Sequence, residues 1–305
     1  MDLKEMIITK KWVKIELLTK GWSKDVKYYI EDIEKQRFLL RISEHSLYDK
    51  KLEHFKLLKE VNKLGYNTPT PYEFGQFDDG RVYMLLSWIE GQDAQEILPK
   101  LDESKQYELG KEAGKILKRL HEIPIITNMT WRELYKNKIP RKIQAAKESQ
   151  IKHKHLDKFI NYVLENMNIV QNNSMKFQHG DYHIGNMVIT NDLKLGIIDF
   201  DKMDVADPLD DFKPFVWTVN KSNIFETGLI DGYHDNKVPE DFFKTLALYA
   251  AESCIGHIPW AITFGDKEVK IALEVADKVY QWYKGFSIII PTWYDSTLKE
   301  KYKND

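Results

Sequence analysis

Cysteine is what the sequence has least of. Cys254 stands alone in 305 residues, which excludes an intrachain disulfide and leaves a cysteine-based metal cluster without ligands; the expectation is a reducing compartment, the cytoplasm. Long apolar runs are also missing, so no stretch is expected to span a bilayer, and Met1 to Lys14 is too interrupted by charge for a signal peptide. Neither sign of charge dominates. A formal net charge of -2 and a pI near 6.5 give no global attraction for nucleic acid or for an anionic membrane, and neither is expected as a partner. The local basic runs at Lys50-Lys51 and from Lys152 to His155 read as solvated helix faces.

Present instead is an ordinary globular mixture, 43% hydrophobic and 30% charged, in a chain long enough for two lobes with separate cores. The first ninety residues read as strands around one helix. Trp12 to Leu17 alternates, Val26 to Ile30 is rich in β-formers, and Arg37 to Ile42 follows a polar turn, a three-strand antiparallel start. Between the first two strands, Thr19 to Lys24 forms a turn with a single glycine, Gly21, and with Ser23 and lysines that could lie over phosphates. Lys51 to Leu64 carries Leu52, Phe55, Leu58 and Val61 at helical spacing and ends at Gly65. Asp78-Asp79-Gly80 is a hairpin turn, and Arg81 to Trp88 is a nearly continuous apolar strand of the buried kind.

After Gly91 the pattern becomes helical, first from Gln106 to His121, then through most of Lys136 to Asn168, and again beyond Asp241, where Pro239, Pro259 and Pro291 punctuate the helices. The expected fold class is therefore α+β in two lobes: residues 1–90 as an antiparallel sheet plus helix, and residues 91–305 as a larger, mainly helical lobe.

The chemistry concentrates between Phe177 and Phe212. His179-Gly180-Asp181-Tyr182-His183-Ile184-Gly185-Asn186 precedes a short strand, Met187 to Ile189, and after a polar turn a second strand, Leu195 to Ile198, delivers Asp199. If the two strands form a hairpin, Asn186 enters it and Asp199 leaves it, so the two side chains share one open end. An amide oxygen beside a carboxylate suits Mg2+, which keeps water and substrate phosphates in its shell. Asp181 is left to accept the proton of an attacking alcohol. Taken singly, an Asp or Asn beside a glycine turn is as readily a capping residue; the joint pattern favours chemistry. No second His or Cys stands at a zinc spacing from His183, which reads as structural or substrate-side. Trp217, Trp260, Trp282 and Trp293 read as core.

This segment resembles the H-G-D-x-x-x-x-N and I-D motifs of the aminoglycoside phosphotransferase family, small-molecule relatives of the protein kinases. The resemblance extends to Leu120-His121, to the strand ending at Gly91 and to Asp207-Pro208 with Asp211. It implies a two-lobed protein-kinase-like fold, ATP or GTP as phosphoryl donor, Asp181 as catalytic base, Asn186 and Asp199 as Mg2+ ligands, and His179 and Asp211 as supports of the loop. It also implies that Ser87 and Ile89 offer backbone groups to the base, and that a third-strand cation pairs with a helix acid, for which Arg41 and Glu53 fit best, with Glu60 second. The chain departs from the protein-kinase pattern in its single loop glycine, in arginine at position 41, and in Asp199-Phe200-Asp201, which lacks the kinase glycine. Six aspartates between Asp199 and Asp211 suggest a cationic acceptor, an aminoglycoside first; choline, homoserine, a macrolide or a sugar, and a catalytically silent nucleotide-binding module, are the alternatives.

Overall fold

The computed structural model describes residues 3–19, 23–170 and 172–302. In chain order the elements are α1 (Leu3–Thr9), β1 (Trp12–Leu18), β2 (Val26–Asp32), β3 (Arg37–Ser43), α2 (Tyr48–Asn62), β4 (Pro71–Gln76), β5 (Val82–Ser87), β6 (Gln92–Asp93), α3 (Ala94–Ile97), α4 (Glu103–Leu120), α5 (Trp131–Glu148), α6 (Leu156–Asn166), β7 (Lys176–Gln178), β8 (Met187–Ile189), β9 (Leu195–Ile197) and β10 (Asp204–Ala206). The chain closes with α7 (Phe215–Val219), α8 (Asn223–Tyr233), α9 (Glu240–Ile262), α10 (Asp266–Trp282) and α11 (Leu298–Lys301). Two compact units result: Met1–Asp93 with Asn186–Met203, and Ala94–Gly185 with Asp204–Asp305.

The first unit is built on a five-stranded antiparallel sheet in the order β1-β2-β3-β5-β4. Side chains alternate across a strand, so each strand serves two faces. Phe38, Leu40 and Ile42 of β3, with Ile30 of β2 and Tyr83 and Leu85 of β5, pack with Met6 and Trp12 into one core. The intervening residues Lys27, Leu39, Arg41, Met84 and Leu86 line a cavity on the other face. That two-sided burial is why β5 reads as an unbroken apolar run. The turn joining β4 and β5 places Gly80 at a φ of +88°, and the Phe77 carbonyl accepts from the Gly80 N–H at 2.9 Å. A smaller sheet, β6-β8-β9, completes this unit.

The second unit is helical apart from the β7-β10 pair. Helix α9 runs straight through Pro259 rather than stopping there. The reason is position: Pro259 lies in the last turn of a long, largely buried helix, where its missing N–H removes one hydrogen bond and packing supplies the rest. Helix α5 begins with a capping box, Thr130 accepting from the Glu133 N–H while Glu133 reaches back to the Thr130 N–H.

Candidate active site

The cavity of the first unit has a volume of about 200 Å³. Leu18, Leu39, Leu58, Met84, Leu86, Ile89, Val188 and Ile198 make its walls apolar, and one group of linings, Arg41, Asp199 and Asp201, is charged. An apolar slot with a few convergent charged groups suits a flat heterocycle carrying anionic groups. Ser87 and Ile89 both line it. The Ser87 N–H donates to the Thr70 carbonyl at 2.8 Å and its hydroxyl accepts from the Thr70 N–H at 2.8 Å, while the Trp88 N–H is taken by the Arg37 carbonyl.

The charged group is an ion-pair network. Arg41, with its side chain 7% exposed, reaches Asp25 at 2.9 Å, Asp199 at 3.0 Å and Asp201 at 3.0 Å. Lys51, 8% exposed, reaches Asp25 at 2.7 Å and Asp201 at 2.5 Å. The Ser43 hydroxyl donates to Asp25 at 2.7 Å, and the Ser23 hydroxyl lies 3.2 Å from both Asp201 and Arg41. Burial works against both charged forms, but the partners outweigh it: Asp201, Asp199 and Asp25 hold the Arg41 pKa above its ordinary value, and Arg41 and Lys51 hold that of Asp201 down at about 2. Two cations face three carboxylates here, one negative charge in excess. A divalent cation would reverse that sign, the balance a polyphosphate needs.

Two expectations are corrected by this network. Arg41 pairs with Asp25, Asp199 and Asp201 and with neither Glu53 nor Glu60; Glu53 is exposed. Successive helical residues are separated by about 100°, so Glu53 stands roughly 200° around α2 from the buried Lys51. The Lys50-Lys51 run is accordingly not a solvated face at Lys51, which lies on the stripe of His54, Phe55, Leu58 and Val61. Gly21, the loop glycine, lies outside the described residues, as do its neighbours Lys20 and Trp22.

Strands β8 and β9 pair antiparallel, Met187 opposite Ile197, and the Ile198 N–H donates to the Asn186 carbonyl at 2.9 Å. Asn186 and Asp199 thus come to the same end of one hairpin. Asp199 sits at φ 60° and ψ 59°, a left-handed conformation that costs a non-glycine residue energy. Its carboxylate is 38% exposed and touches Arg41 through one oxygen, Oδ1. An amide and a partly exposed carboxylate are a donor set that fits Mg2+. Among the described residues no group of three or more His, Cys, Asp or Glu side chains could hold a metal, and the Asn186–Asp199 pair would leave the remaining positions to water and phosphate.

In the second unit the loop after β7 carries Asp181. Gly180 takes a φ of +82°, and the buried Asp211 accepts from the His179 N–H at 2.9 Å and from the Gly180 N–H at 2.7 Å. His121 Nε2 lies 3.1 Å from the same carboxylate and its Nδ1 2.9 Å from the Tyr233 hydroxyl. Asp207, also buried, accepts from the Leu209 N–H, Asn173 and the Tyr249 hydroxyl; burial pushes its pKa up. His183 Nδ1 accepts from the Gly185 N–H at 3.0 Å, so the neutral imidazole carries its proton on Nε2, which lies 3.6 Å from Asp181 Oδ1. The loop thus holds a half-buried carboxylate beside a hydrogen-bond donor.

The model of the phosphotransferase enzyme family matches residues 14–243 of the chain. The chain belongs to that family. No curated protein matches it. Among solved structures it is similar to the ADP-bound aminoglycoside phosphotransferase APH(2'')-Ib, at 19% identity over 91% of this chain and 97% of that one with a TM-score of 0.65. It is also similar to the GDP complex of aminoglycoside 2'-phosphotransferase-IIIa, at 15% identity over 90% and 96% with a TM-score of 0.71, and to amicoumacin kinase hAmiN with AMP-PNP, Ca2+ and its ligand, at 12% over 97% of each chain with a TM-score of 0.66. These likenesses establish the kinase-like α+β fold.

Proposed function

We propose that the protein transfers the γ-phosphate of ATP or GTP, with Mg2+, to a hydroxyl of a small molecule. The observation that carries this reading is the apolar cavity of the first unit with Arg41, Asp199 and Asp201 among its linings, in a chain of the phosphotransferase enzyme family. In the proposed reaction the base lies against the apolar walls, with Ile89 and Ser87 reading its edge from the backbone. Arg41, Lys51 and Ser23 take the phosphate end. Asn186 and Asp199 would hold Mg2+, which when bound neutralises phosphate charge. Asp181 accepts the proton of the acceptor hydroxyl as the new O–P bond forms and the bond from γ-phosphorus to the bridging oxygen breaks, releasing the nucleoside diphosphate. His183 Nε2 stands 3.6 Å from the Asp181 carboxylate, near it but beyond a direct hydrogen bond.

Aminoglycosides are the first acceptors to test, since similar structures carry names of that class. A second reading, a different small alcohol, is favoured by one observation: five of the six aspartates that suggested a cationic acceptor are engaged, Asp204 alone being exposed. Asp199 and Asp201 pair with Arg41, Asp210 with Lys213, and Asp207 and Asp211 are buried among hydrogen bonds.

The test is nucleotide-dependent phosphate transfer to aminoglycosides, choline, homoserine, macrolides and sugars. Asp181→Asn is expected to lose at least about 10²-fold in turnover while keeping nucleotide affinity. Asp199→Ala is expected to lose Mg2+-nucleotide affinity and turnover together. Full turnover in Asp181→Asn would remove it as the base, and no transfer to any acceptor by the wild type would favour a silent nucleotide-binding module.

A further inference from the structure

Four histidines are buried among the described residues: His54, His121, His153 and His179. Three of them are held. His121 meets Asp211 and Tyr233, His153 meets Asp277, and His179 Nδ1 accepts from the Asp181 N–H. The imidazole of His54, only 6% exposed, has no hydrogen-bond partner among the described residues, and it lines the cavity of the first unit. An imidazole withdrawn from water without a partner costs stability. Packing alone does not account for that cost, because a phenylalanine of nearly the same shape would fill the place without it.

The position of the ring says which part of a ligand it meets. His54 shares one face of α2 with Lys51, one turn before it, and with Leu58, one turn after it. Leu58 belongs to the apolar wall of the cavity, and Lys51 to the ion-pair network with Asp25 and Asp201. His54 therefore stands where the slot for a flat heterocycle passes into the charged group.

The charged groups acting on the ring are Lys50 and Lys51 of α2, Arg41 of β3 and Asp201. Burial first, and then the three cations against Asp201, press its pKa down to about 4. The ring is thus neutral at neutral pH, with one N–H to donate and one lone pair to accept. Such a group offers a hydrogen bond without adding a cation to a network in which Arg41 and Lys51 already pair with carboxylates.

We propose that His54 is a nucleotide-binding residue, its imidazole N–H donating to the phosphate that adjoins the nucleoside, the α-phosphate. The proposal rests on the reading of this cavity as the nucleotide's. The bond forms only in the complex, so the free protein carries an unpaired ring and the bound protein satisfies it.

The test titrates the full chain calorimetrically with ADP and with adenosine, or with GDP and guanosine if the chain prefers guanine, in wild type, His54→Phe and His54→Gln. His54→Phe is expected to weaken the diphosphate about tenfold and the nucleoside less than about twofold, and to leave the thermal midpoint of the ligand-free protein at or above that of wild type. His54→Gln, whose amide N–H can donate, is expected to recover most of the lost affinity. Equal losses for diphosphate and nucleoside would take the contact off the phosphate and overturn the assignment. Unchanged diphosphate affinity in His54→Phe would overturn it too, and would leave an ordered water as the partner of the ring. A lowered midpoint with both ligands weakened would show a structural role instead and equally overturn it. A wild-type chain that binds neither ADP nor GDP would sink the nucleotide reading itself, whereas a nucleotide bound with indifference to His54 sinks this assignment alone.

Discussion

The two units each hold a cluster of carboxylates, and the clusters are satisfied in opposite ways. In the first unit Asp25, Asp199 and Asp201 face guanidinium and ammonium groups. In the second, Asp207 and Asp211 face backbone N–H groups, an amide, a histidine and a tyrosine. The chemical difference follows. Cations hold the Asp201 pKa at about 2 despite burial, whereas burial raises that of Asp207 because neutral donors cannot offset it. A carboxylate among cations is part of a charge balance that an incoming metal and polyphosphate can rearrange. One wrapped in backbone donors fixes a loop and has nothing to exchange. On the proposed reading the first cluster answers to a ligand, while the second holds geometry.

That contrast breaks most readily at Asp211. Removing it leaves the buried His179 N–H and the part-buried Gly180 N–H without their acceptor, so Asp211→Ala is expected to cost on the order of 2 kcal/mol of stability and, through a displaced Asp181, about 10²-fold or more in turnover. Nucleotide affinity should be spared, because the cavity belongs to the first unit. Chemical denaturation together with ADP titration checks this; a variant as stable and active as wild type would show that the loop is held otherwise.

The next effect depends on pH. Glu226 of α8 is fully buried, and desolvation raises its pKa to about 8 against a hydrogen bond with Thr218. Its folded pKa is raised above its unfolded value, so the stability of its neutral form is complete below about 4.5 and is lost as pH rises through about 8. Glu226→Gln should therefore flatten the fall in unfolding free energy across that window, by up to a few kcal/mol, which denaturation at a series of pH values checks. Asp201 has the reverse sign: its contribution is present above about 3.8 and lost as pH falls through about 2. Parallel slopes in wild type and Glu226→Gln would show that Glu226 is already ionised in the native state.

The sequence made the second cluster and the hairpin easier to read than the first. Asn186, Asp199, Asp207 and Asp211 belong to local motifs, and alternation alone was enough to bring Asn186 and Asp199 to one hairpin end. The β1-β2-β3 start and the β4-β5 turn were legible for the same reason. The partners of Arg41 were not. Lys51 and Asp201 are 150 positions apart, and an adjacent pair of lysines looks like any hydrated helix face. The phase of α2 did contain the signal, since Lys51, His54, Phe55, Leu58 and Val61 share a stripe that excludes Glu53. Trp260, expected in the core, is 43% exposed, because spacing on a helix reports which residues share a face but not how deeply that face is buried.

The smallest predicted effect tests whether the helix contributes a cation rather than an acid to the first cluster. In Lys51→Met, Asp25 and Asp201 keep Arg41, and Asp25 keeps Ser43, so the thermal midpoint should move little. On the proposed reading, in which Asp199 would hold Mg2+, the variant lacks the ammonium that would take up phosphate oxygens. We expect the KM for nucleotide to rise about tenfold with little change in kcat, and Glu53→Ala to leave both within about 0.5 kcal/mol of wild type, as surface substitutions do. If Glu53→Ala raised the KM instead and Lys51→Met did not, the acid would belong to the working site and the arrangement around Arg41 would have to change when nucleotide binds. The two variants separate a network that already carries its phosphate-binding charges from one that must exchange partners to acquire them.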